Sequence, residues 1–77
     1  IVLMMMNKNS EAITMFNKSL EINGYQAHVY FRRALAYFQE DQLILALHDL
    51  DNAAALGLSA EEEKKLRAAI AKKIDMV

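Results

Sequence analysis

The chain echoes itself at a distance of 34 residues. Ala12, Phe16 and Ser19 fall on Ala46, Leu50 and Ala53, and a period of that length points to stacked supersecondary units rather than one irregular core. The stretch from Tyr30 to Ala53 shows what the unit is. Apolar or small residues at Tyr30, Ala34 and Tyr37, then at Leu43, Ala46, Leu50 and Ala53, form two helical stripes on either side of the polar break Gln39 to Gln42. Two amphipathic helices joined by a short polar connection predict an antiparallel helical hairpin, and the expected fold class is all-α.

The remaining segments read as helices too. Residues 1–6, IVLMMM, are apolar all round, as befits the end of an inner helix packed under its neighbours; three successive Met residues are also an adaptable contact surface. Asn7 to Ser10 is a helix-start signal, with Asn9 or Ser10 available as the cap. Ala12, Ile13, Phe16 and Leu20, with Met15 nearby, then make an apolar stripe, while Asn17, Lys18 and Glu21 lie toward water. Asn23-Gly24 predicts a left-handed stop. The next helix is expected over about 26–40 and another over 43–56, ended by Gly57 with Leu58 folding back. Ser59 and Glu62 have capping-box spacing, Glu61 to Glu63 suit a first turn, and Lys72 and Lys73 suit a last one. Leu66, Ala69, Ile70 and Ile74 make a narrow inward stripe, so this helix reads as a cap with a charged outer face. About five helices are expected, the first cut short.

The hairpin resembles the tetratricopeptide repeat, whose first helix carries an aromatic, small, aromatic pattern matched by Tyr30, Ala34 and Tyr37. The second-helix pattern of Ala, a bulky residue and Ala is matched by Ala46, Leu50 and Ala53, and the run ALHDLDNA is close to the usual wording. Arg33 stands where an apolar residue is commoner, the Asp41-Gln42 corner lacks the usual Gly, and Leu58 replaces the usual Pro. The resemblance implies a solenoid fragment: a partial repeat over 1–24, a complete repeat over 25–58 and a capping helix over 59–77. It further implies that His28, Phe31, Arg32, Leu35, Phe38 and Gln39 turn toward a concave surface, where the family binds peptides. Arg32, with His28 one turn earlier, stands where some members grip a carboxylate, but Phe31 and Leu35 occupy places those members fill with Lys and Asn. An ordinary solvated Arg is the better reading there.

The implied function is a protein-interaction scaffold that takes a peptide or partner helix. The rival readings are a purely structural end of a longer array and a regulatory domain of a larger enzyme. At 77 residues, with Ile1 falling in mid-helix on the repeat register, the chain is expected to be a fragment. Apolar surface at its shortened first helix would invite self-association. Nine basic and ten acidic residues give no electrostatic footprint for nucleic acid or an anionic membrane. No Cys is present, which fits a cytoplasmic setting. Catalytic chemistry has little to draw on, so no enzyme is expected. Two His lie on different helices, both Gly fall at helix ends, and Ser10 and Ser59 are absorbed as caps, leaving no cofactor motif. His48, Asp49, Asp51 and Asn52 are too mixed and too few to argue for a metal, and are expected on a solvated outer face.

Overall fold

Four helices follow one another in the computed structural model, which describes residues 2–75 and, for side chains, residues 9–75. They are α1 (Val2–Ile22), α2 (Ala27–Gln39), α3 (Leu43–Ala55) and α4 (Ala60–Asp75). The expected hairpin is α2–α3, the most extensive packing in the molecule; α1 lies on α2, and α4 lies on α3. Packing of each helix chiefly on its sequence neighbours gives a slab of 36 × 34 × 17 Å.

Small residues set the spacing. Ala34 on α2 and Ala46 on α3 are both fully buried, in one cluster with Leu50, Leu66 and Ile70. Half-buried Phe31, Leu35, Tyr37, Phe38, Leu43, Leu47 and Leu58 pack around that cluster. Ala at these places lets helix backbones approach while longer side chains close the flanks. Leu50 and Ile70 are the largest side chains wholly removed from solvent, each contributing roughly 1.5–3 kcal/mol by burial.

The helix ends follow from local chemistry. Gly57 adopts φ 104°, its amide donates to the Ala54 carbonyl, and the Leu58 amide donates to that of Ala53. This pair of reversed bonds satisfies carbonyls that the helix cannot, and Leu58 folds back onto the core. The α2 end is built the same way without glycine. Asp41 takes φ 60°, with its amide on Phe38 and the Gln42 amide on Tyr37; Asp is among the few non-glycine residues that tolerate that region. Ser59 Oγ accepts from the Glu62 amide at 3.2 Å, opening α4 as expected.

Two expectations fail in the first third of the chain. The start signal at Asn7 to Ser10 does not interrupt the chain: α1 runs straight through it, so there are four helices among the described residues rather than five. No Gly or Pro stands there, and Asn and Ser are only mildly poor helix formers. Ser10 lies inside the helix, its carbonyl accepting from Thr14 Oγ1 at 3.0 Å. The reading of Ile1 to Met6 as a buried apolar end or a Met-rich contact concerns side chains outside the described residues. Asn23-Gly24 does end α1, but not by a left-handed turn, for Gly24 is not among the positive-φ residues. Instead the Tyr25 amide donates to Asn23 Oδ1 at 3.0 Å. The Gln26 amide group reaches back to the Ser19 and Asn23 carbonyls at 3.1 and 2.8 Å. Side-chain groups here do what a left-handed glycine does at Gly57.

Two apolar residues also lie differently from their expected stripes. Met15 is 70% exposed and Ile74 45% exposed. Each stands at the margin of its helix's packed face rather than at its centre.

Candidate functional site

A groove of about 300 Å³ runs between α2 and α4, lined by Phe31, Leu35 and Phe38 on one side and Glu62, Lys65, Leu66 and Ala69 on the other. Helical periodicity explains the first wall, because residues three and four apart share a face. The second wall comes from the capping helix, whose Leu66 is buried while Ala69 is half-buried. The small Ala69 side chain leaves the depth that a larger residue would fill. Lys65 and Glu62 are exposed and put one charge of each sign on an otherwise apolar lining.

The six residues expected on the concave face therefore divide. Phe31, Leu35 and Phe38 come together in the groove, whereas His28, Arg32 and Gln39 are exposed and do not line it. The apolar three are flanked by α4 of the same chain.

One end of the groove is fastened. Lys73 Nζ donates to the Phe38 carbonyl at 3.1 Å and to Asp41 Oδ1 at 2.8 Å, and lies 4.3 Å from the centre of the Phe38 ring. The last turn of α4 thus neutralises a carbonyl at the end of α2 and holds the ring that closes the groove.

On the α1 side of α2, Arg33 turns out to be a hub. Its Nε and Nη2 donate to Asp49 Oδ2 and Oδ1, each at 2.7 Å, and Nη1 donates to Asn17 Oδ1 at 2.7 Å. Asp49 is 3% exposed, which corrects its expected place on a solvated outer face: it is enclosed because the guanidinium fork satisfies both of its oxygens. Hydrogen bonding to Asp49 raises the Arg33 pKa above its usual value, against burial acting the other way. The rings of Tyr30 and Tyr37 flank the cation, with centroids 5.5 and 5.9 Å from the guanidinium carbon. Arg33, the departure from the repeat pattern, joins three helices.

A second such contact repeats the first. Arg67 Nη2 donates to Asp51 Oδ1 at 2.8 Å and to Glu63 Oε2 at 2.9 Å. Arg67 and Asp51 lie 34 residues beyond Arg33 and Asn17. The contact between α1 and α2 is thereby reproduced between α3 and α4. No cluster of three or more possible metal ligands occurs among the described residues.

A larger concavity of about 520 Å³ lies at the connection between α2 and α3, lined by Asp41, Gln42, Leu43, Ile44, Leu45 and Ile74. Sequence reasoning missed it because Leu43 to Leu45 is a continuous apolar run, of which only Leu43 was assigned a face. Ile44 is 68% exposed. Among the described residues, no helix is long and apolar enough to cross a membrane. No protein-family model, curated protein or solved structure matches this chain.

Proposed function

We propose that the chain is a tetratricopeptide-type interaction module that binds a helical peptide or partner helix in the groove between α2 and α4. The observation that carries this reading is the convergence of Phe31, Leu35 and Phe38 with Leu66 and Ala69 on one apolar concavity. From Phe31 to Phe38 the groove follows two turns of α2, a length of roughly 10 Å at 1.5 Å per residue. That length suits two apolar anchors one turn apart on an amphipathic helix, with Lys65 and Glu62 selecting polar flanks. The repeated Arg–Asn and Arg–Asp contacts support the solenoid reading, because stacked units reuse the same interface.

Selection of binders from a displayed library of amphipathic helical peptides tests the proposal, followed by calorimetric titration of the best peptide. Ala69→Arg places a long charged side chain in the groove from a half-exposed helical position, so circular dichroism should be unchanged. Binding should fall more than about tenfold, corresponding to at least 1.4 kcal/mol. A peptide bound equally by the parent and by Ala69→Arg would remove the groove from consideration. No selectable binder would favour the purely structural role.

A further inference from the structure

We propose that the helix taken by the groove between α2 and α4 runs antiparallel to both, acidic over its first turns and basic in its last; the inference rests on the binding role given to that groove above. The two walls run the same way. The Phe38 carbonyl, at the end of α2, accepts from Lys73 in the last turn of α4. Phe31 and Glu62, each in the first half of its helix, come together on the same groove. The walls also correspond at the repeat distance of 34 residues, Phe31 with Lys65 and Leu35 with Ala69. An occupant therefore lies along two parallel helices, in one direction or the other.

Charges along the rim are unevenly placed. On α4, Lys72 follows Ala69 by three residues and Lys65 by seven, so all three share a face. On α2, Arg32 precedes Leu35 by three and stands on the solvent side of the lining residues. Arg32, Lys65 and Lys72 are all exposed. Among the described residues the ion pairs are made by Arg33, Arg67 and Lys73, and none by these three. Carboxylates gather at one end, where Glu61 and Glu62 occupy the first turn of α4; Asp41, at the other end, is engaged by Lys73. From the start of α4 to its end the rim thus passes from negative to positive.

That order sets the direction of the occupant. A helix is favoured by carboxylates in its first turn and cations in its last, because its dipole is positive at the start. Laid parallel to α4, such a helix would put like charges against like. Laid antiparallel, its acidic turns meet Lys72, Lys65 and Arg32, its basic turn meets Glu61 and Glu62, and its dipole opposes those of both walls. The charge order that stabilises the occupant alone is then the one the rim accepts. A free chain end has no part in this, for the carboxylates that answer Lys65 and Lys72 are side chains two turns apart.

Calorimetric titration with two peptides of about 16 residues, long enough to form a helix, tests the inference. Both keep the apolar anchors of the best peptide selected for the groove, and both are acetylated and amidated to remove terminal charges. One carries Glu in its first two turns and Lys in its last; the other has the two exchanged. The Glu-first peptide should bind about tenfold more tightly, since three or four exposed attractions worth roughly twofold each are lost in the other. The double variant Lys65→Glu, Lys72→Glu reverses the rim at exposed positions and should abolish or invert that preference, with circular dichroism checking that it folds. Lys64→Glu, on another face of α4, should leave the preference within about threefold of the parent. Two charge orders bound equally overturn the inference and leave the groove standing. A preference that persists in the double variant reflects the peptides' own helicity and overturns it too, as does a preference lost equally in Lys64→Glu, which would mean that net charge decides. If the selection returns no binder, the groove reading itself falls, and this one with it.

Discussion

Asp49→Ala puts the Arg33 hub to a quantitative test. The substitution removes both acceptors that the guanidinium engages at 2.7 Å and leaves only Asn17 Oδ1 on Nη1. Breaking a buried pair by removing one partner costs about 3–5 kcal/mol, because a charge is left without its counterpart. The Arg33 side chain is 19% exposed against 4% for Asp49, so water reaches the orphaned cation and lowers the loss to about 2–3 kcal/mol. Relief by deprotonation is closed off, because an arginine does not give up its proton at neutral pH. In the parent the raised Arg33 pKa marks a contribution that is fully present below the usual arginine value and is lost as pH rises through the raised one. For a chain of this length total stability is of order 4–11 kcal/mol, so the loss is a large share. Urea unfolding followed by circular dichroism at pH 7 reads it directly. With an m-value of about 1 kcal/mol/M the midpoint should fall by about 2 M. The companion variant Arg33→Met, Asp49→Leu replaces both charges by apolar groups and should lie within about 1 kcal/mol of the parent. A midpoint shift below about 0.5 M for Asp49→Ala, or a double variant as unstable as the single, would refute the reasoning.

Two further perturbations address the helix ends. Lys73→Met removes the bonds to the Phe38 carbonyl and Asp41. As Asp41 is largely exposed, global stability should fall by under about 1 kcal/mol, while amide exchange in the last turn of α4 quickens; unchanged exchange there would show that the clasp does not hold the helix. Gly57→Ala meets no atom within 4 Å of the added carbon, so its cost is the φ of 104° alone. Thermal unfolding should report a loss of about 1 kcal/mol; a neutral result would mean that the turn relaxes.

Local chemistry carried most of the fold. Gly57, Leu58 and Ser59 announced the end of one helix and the start of the next within three residues, and the stripes through Ala34 and Leu50 identified the hairpin. Asn7 to Ser10 misled because the residues that cap a helix also sit acceptably on its solvent side. Asp49 was misplaced for another reason: it was judged on its own helix, and its pairing with Arg33 exists only once the hairpin closes. A signal was present, since Asn17 and Asp51 keep the repeat distance, as do Arg33 and Arg67. The groove was half legible. Phe31, Leu35 and Phe38 share a helical face by spacing alone, but the opposite wall depends on where α4 comes to rest, which periodicity does not state.

Packing of each helix chiefly against its sequence neighbours has a consequence for how the molecule is made. Contacts that join nearby segments close small loops, and chains built from them fold fast, on the microsecond to millisecond scale. During synthesis α2 and α3 can pair before α4 has been completed, with no early segment held open for a distant strand. Pulled from its two ends, the same slab would shed its helices singly rather than shear as a unit, the outermost interface yielding first.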